Sequence, residues 1–166
     1  HVRALSVERD SEYVRMDAAT RRNLELSETL RGEPAPTLLS LLDTCATGMG
    51  SRWLRHALHH PLRDRQIVKA RLDTLATLRG QNTDSPYQKL REALRPIVDV
   101  ERITARVALR NARPRDLSGL RETLKLLPEL GGLLAPLASP RLAVLATDLA
   151  PLPELADLLV RAILHE

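Results

Sequence analysis

Phenylalanine is missing from this chain, and aromatic residues together make up only 2% of its 166 positions. A core without rings must be filled by Leu, Ala, Val and Ile, which suits packed helices better than a β-sandwich. A single cysteine, Cys45, excludes an internal disulfide and any cysteine-based zinc cluster. It carries no signature of a nucleophile and reads as a small buried thiol. No apolar run approaches membrane-spanning length and no signal peptide is visible, which points to the cytoplasm. No fixed-period repeat appears, which argues against a solenoid.

What is present is a long-enough chain, 43% hydrophobic and 28% charged, for one domain with a real core. The formal net charge is +4, unevenly spread. Residues 1–126 carry 23 basic and 16 acidic side chains, whereas residues 127–166 carry 2 and 5. A basic body with an acidic tail is compatible with a nearby polyanion, although ordinary solvated helix faces would give the same count. The chain opens on His1 rather than Met and ends at Glu166 without a helix-stop signal, so a longer parent protein is expected.

The organising stretch is 37–62, TLLSLLDTCATGMGSRWLRHALHHPL. Thr37 caps a short helix in which Leu38, Leu39, Leu41 and Leu42 leave little polar face, so the helix reads as almost all core. Thr44 to Gly50 then loosens the backbone, with Thr47 as a second cap and Gly48 and Gly50 as a hinge or a tight contact. Met49, Trp53, Leu54, Ala57 and Leu58 follow at helical spacing as one apolar stripe, with Arg52, Arg55, His56 and His59 on the other side. Pro61 stops that helix.

Before this block, loose alternation through residues 1–14 predicts one or two short strands, Asp17 caps a short helix, and Gly32, Pro34 and Pro36 mark a linker. After it, Asp64 caps a helix with Ile67, Val68, Leu72, Leu75 and Leu78 inward and Gly80 as its stop. Ser85-Pro86 starts another helix, to about Arg95. From Asp99 a further one presents Val100, Ile103, Val107 and Ala108 inward. Arg102, Arg106, Arg110 and Arg113 line another face as far as Pro114. Pro114 opens a helix with Leu117, Leu120, Leu124 and Leu127 inward, and Ser139-Pro140 and Pro153-Glu154 start two short final ones. The expected fold is mainly α: an irregular multi-helix domain over 1–166, with short strands and a short helix in 1–30 and a helical body over 37–166.

Few residues suggest chemistry. His56 and His60 have two-ligand spacing but no third partner nearby, and read as imidazoles meeting a helix C-terminus. Gly48-x-Gly50 lacks a phosphate-loop lysine. Trp53 suits a stacking platform, but on an apolar stripe it reads as core. All basic residues but Lys69, Lys89 and Lys125 are arginines, which prefer planar, bidentate partners. Arg52, Arg55, Arg102, Arg106, Arg110 and Arg113 are therefore candidate contacts to phosphates or to acidic residues of a neighbouring domain. The plainer reading pairs Glu101 and Glu122 with arginines one helical turn away.

Three blocks carry a resemblance: MDAATRRNLEL at 16–26, the 37–62 stretch, and DVERITARVALRNARPRDLSGLR at 99–121. Together, in this order and separation, they resemble the core (lever) domain of the bacterial DNA mismatch-repair protein MutS over nearly the whole chain. The chain departs from the family pattern where Trp53 precedes Ala57. The family usually has an aliphatic residue at the first of these positions and Trp at the second, so a repacked core is expected.

The resemblance implies the first core segment, ending before the clamp insertion and joining mismatch-reading and connector domains to an ATPase domain. It implies no catalytic, cofactor-binding or metal-binding residue here, with ATP and Mg belonging to the parent's ATPase domain. Neither a Phe-x-Glu wedge nor a GxxxxGK[ST] loop is present. The implied partners are mismatched duplex DNA, the connector, clamp and ATPase domains and a second copy of the parent, without a membrane; the implied location is the bacterial cytoplasm, at the nucleoid. Two rivals stand beside this reading. One is a free-standing helical module that binds protein or nucleic acid through basic faces. The other, a nucleotide hydrolase in its own right, is disfavoured by the missing phosphate loop.

Overall fold

A computed structural model of the chain describes residues 12–80 and 85–163. Its helices are α1 (Ala18–Asn23), α2 (Leu38–Leu42), α3 (Gly48–His59), α4 (Arg65–Arg79), α5 (Pro86–Leu94), α6 (Val100–Ala108), α7 (Pro114–Leu134), α8 (Pro140–Asp148) and α9 (Pro153–Ala162). No strand occurs among the described residues. Most of the expected N-terminal β element lies outside them, and what is described is one isolated antiparallel bridge between Tyr13 and Leu62. The chain divides into two compact units, one formed by residues up to Thr44 with Ser51–Lys69, the other by Cys45–Gly50 with Ala70 onward.

In the second unit α7 is the central element and packs against α5, α6, α8 and α9. Its leucine stripe behaves as the spacing predicts. Leu120 and Leu124 are buried with Ile103 of α6 and Leu159 of α9, and Val98, Val100, Leu117, Leu127, Ala156 and Ile163 pack round them. Each such aliphatic side chain contributes about 2 kcal/mol by leaving water. Gly119 permits close approach, because a Cβ there would lie 2.9 Å from Val98 Cγ1. The same corner is fixed when the Val98 amide donates to Thr123 Oγ1 at 3.2 Å.

α7 also runs through Pro128, which removes one helical hydrogen bond, and still buries Leu130 and Leu134 beyond it. Arg121 is buried too, with its charge answered at once. Nε donates to Glu122 Oε1 at 2.8 Å and Nη1 to the Ile163 carbonyl at 3.2 Å, at the end of α9. The Arg121 and Lys125 donors hold the Glu122 carboxyl below its ordinary range.

The expected stripe of α4 does not become core. Ile67, Val68, Leu72 and Leu75 are exposed, and the buried residue of this helix is Thr74. Its hydroxyl donates to the Ala70 carbonyl at 2.7 Å and lies 3.2 Å from Ser139 Oγ. Gly80 does end the helix, at φ 67°.

In the first unit, α1 is capped as expected, with the Thr20 amide donating to Asp17 Oδ1. That bond lowers the Asp17 pKa below 3.8. The backbone after α1 is tied to the start of α2. The Leu38 amide donates to the Glu25 carbonyl at 3.1 Å and the Leu39 amide to the Leu26 carbonyl at 2.8 Å. α2 is not almost all core, as its composition suggested. Thr37 and Ser40 form a reciprocal capping box, Leu39 is buried, and Leu38, Leu41 and Leu42 are exposed.

Candidate functional site

The loosened joint at Thr44–Gly50 is a helix start. Gly48 and Gly50 lie inside the first turn of α3, and the Gly50 amide donates to Thr47 Oγ1 at 3.1 Å, a side-chain N-cap. Gly50 is small because of what it touches: an added Cβ would meet Cys45 Cβ and Thr47 Oγ1 at 3.3 Å. Cys45, expected to be buried, is exposed. Trp53, expected in the core, is 55% exposed. The remaining stripe residues, Met49, Leu54, Ala57 and Leu58, are half-buried. The stripe exists in the sequence and is only partly covered in this chain.

His56 and His60 stack on each other with ring centroids 4.3 Å apart, and Tyr13 presents an edge to both. Among the described residues no group of three or more His, Cys, Asp or Glu could hold a metal ion.

The expected four-arginine row is broken by a helix end. α6 stops at Ala108. The Asn111 amide donates back to the Arg106 carbonyl at 2.9 Å and the Arg110 amide to the Val107 carbonyl at 3.0 Å, a Schellman closure with Arg110 at φ 55°. Arg102 and Arg106 remain on the helix, while Arg110 and Arg113 sit in the connection. Periodicity alone did not show this, because a C′ position without glycine leaves no mark in the sequence.

Two of these arginines are occupied. Arg102 Nε lies 3.5 Å from the Asp99 carboxylate that caps α6. Arg106 is held bidentately by Asp116, with Nε to Oδ2 at 2.9 Å and Nη2 to Oδ1 at 2.8 Å. The Asp116 carboxylate also accepts the Arg113 amide at the start of α7, at 3.0 Å. That backbone bond, then the Arg106 guanidinium, holds its pKa below 3.8. A depressed carboxylate contributes stability that is complete above the unfolded value and lost as the pH falls through the lower folded value. Asp116 thus joins the end of α6 to the start of α7, and Arg106 serves that corner. Arg113 and Arg106, with Asn111 and Arg115, border a shallow cleft there.

On α3, Arg52 is half-buried and Arg55 exposed. Arg55 faces a hollow it shares with Arg21, Arg22 and His59. His59 shares the basic side of α3 with Arg55, as its spacing suggested, whereas Arg21 had no distinguishing spacing in the sequence. The only hint was the basic pair Arg21-Arg22 ending a helix capped by Asp17.

One comparison bears on these features together. The model of the family described as MutS domain III matches residues 19–166, from the capped α1 to the end of α9. The chain belongs to the MutS domain III family. MutS domain III is a domain of the mismatch-repair protein MutS and is itself non-catalytic. The matched region takes in the second unit and the first from residue 19 onward, so the uncovered stripes of α2 and α4 lie within it. Among the described residues no helix is long and apolar enough to cross a membrane.

Proposed function

We propose that this chain is a lever segment that couples DNA and mismatch binding to an ATPase domain in a longer MutS-like parent. That parent acts as a homodimer in the bacterial cytoplasm, at the nucleoid, with ATP and Mg confined to its ATPase domain. The observation that carries the reading is the uncovered leucine face of α4. Leu72 and Leu75 are each 59% exposed, on a helix whose amphipathic spacing calls for a partner. A coupling element needs contacts that neighbouring domains make and break, and such a face supplies them.

The alternative, a free-standing module that grips nucleic acid through arginine faces, is less well supported. Arg102 and Arg106 are already paired with Asp99 and Asp116. Contact with the connector, clamp and ATPase domains, and with mismatched duplex DNA, is proposed for the full-length parent and not for this chain alone.

The test is mismatch-stimulated ATP hydrolysis by the full-length parent carrying Leu75→Glu. The expected outcome is stimulation reduced about tenfold, a coupling loss near 1.4 kcal/mol, with mismatch-independent hydrolysis retained. Wild-type stimulation would remove the uncovered face from the coupling route. Tight duplex binding by the 166-residue chain itself, falling steeply with salt, would favour the module instead.

A further inference from the structure

The hollow in the first unit has no part in that reading. It has a volume of about 600 Å³, and Arg21, Arg22, Ser27, Glu28, Arg55 and His59 are among the residues lining it. Three chain segments bring them there: α1 and its C-terminal turn, the backbone after it, and one face of α3. Arg22 is anchored at the rim, its Nη2 donating to the Leu30 carbonyl at 3.0 Å. His59 is anchored as well, with Nε2 2.8 Å from Ser27 Oγ. Arg21 differs from both. Its Nε is shut off from solvent and has no hydrogen-bond partner. A buried, unsatisfied guanidinium donor costs about 1–3 kcal/mol, more when charged, and native proteins rarely tolerate one without a function or a ligand.

The electrostatics agree with that geometry. Burial first, then the charges of Arg21 and Arg55, with His60 adding, hold His59 below its ordinary pKa of 6.5; Glu28 acts weakly the other way. The cations of α1 and α3 are therefore close enough to act on one imidazole. Converging guanidiniums over a concave floor match a single compact anion, whereas a nucleic-acid backbone is tracked by an extended row of cations. The carboxylate of Glu28 at the wall also opposes a continuous polyanion.

We propose that this hollow is a binding site for a phosphate group, inorganic or at the end of a small phosphorylated molecule, held by Arg21 and Arg55 beside His59. The bound anion offsets the repulsion between the cations around His59. Protonated His59 is then favoured, so the His59 pKa rises when the anion binds.

The experiment titrates inorganic phosphate and pyrophosphate into the 166-residue chain at constant ionic strength, read by calorimetry and by amide and imidazole NMR shifts. Saturable binding is expected, with shifts confined to residues 16–32 and 55–59 and a raised His59 pKa in the complex. Saturation by pyrophosphate but not inorganic phosphate assigns the site to a phosphorylated molecule; saturation by both assigns it to the phosphate group alone. Arg21→Gln and Arg55→Gln should each weaken binding about tenfold or more, and Arg102→Gln on α6 should leave it within about twofold. Non-saturating shifts, an unmoved His59 pKa, or equal losses in all three variants would overturn the proposal. So would a short duplex that competes at the same phosphate concentration and shows the same Arg21 dependence. The His59 titration is read on the unaltered chain, so a variant that fails to fold does not shield the proposal.

Discussion

α4 and α7 carry the same kind of signal and meet opposite fates. Both space leucines at helical intervals, both run four turns or more, and both start and stop where caps, prolines or glycines put them. α7 buries its stripe because α5, α6, α8 and α9 surround it. α4 leaves Ile67, Val68, Leu72 and Leu75 in water and buries a threonine instead. An amphipathic pattern thus states which face of a helix is available for burial, not whether this chain supplies the cover. On the proposed reading, that face is where a neighbouring domain would dock.

Three substitutions probe this contrast. The largest effect is expected on the packed side. Ile103, 3% exposed, sits where α6, α7 and α9 meet, and Ile103→Ala should lower stability by about 3 kcal/mol in urea unfolding of the 166-residue chain. A loss below about 1 kcal/mol would mean that α7 is no better covered than α4. A middle-sized effect tests how the packed side ends a helix. Arg110 occupies a left-handed C′ position at φ 55°, so Arg110→Gly should raise the stability measured in the same way by about 0.5–1 kcal/mol. An unchanged or lower value would show that the arginine side chain gains more at that turn than its backbone loses. The smallest effect is expected at the open face. Leu75→Ala should change the stability of this chain by less than about 0.5 kcal/mol. A cost near that of Ile103→Ala would erase the contrast and remove the reason to expect a neighbour on α4.

The sequence made the helices legible for local reasons. Asp17, Thr37, Thr47 and Asp99 each accept a backbone amide at a helix start, and Pro86, Pro114, Pro140 and Pro153 open helices where their fixed φ is already helical. The core round Ile103, Leu120 and Leu124 was legible too, but the expected stripe of α6 is covered only in its first half, with Val107, 46% exposed, and Ala108 lying outside. Cys45 was placed inside on the general preference of its residue type and Trp53 on the apolar stripe it shares, and both lie outside. Those preferences average over complete proteins, in which a neighbouring domain covers faces that a single domain leaves open. The arginine row failed for a different reason. Its i, i+4 spacing continues through a backbone reversal at Arg110 that no glycine announces.

The hollow around Arg21 could not be read from spacing, because Arg21, Ser27, Arg55 and His59 are separated by up to 38 positions and meet only after the chain folds back. What the sequence alone determined was the set of helices, where most of them start and the face each can bury, since caps and periodicity act within a turn or two. Only the tertiary structure decided which faces are covered, that Asp116 of α7 takes Arg106 of α6, and which arginines are left to converge. Those outcomes depend on contacts between residues far apart in the chain, and a pattern of near neighbours carries no information about them.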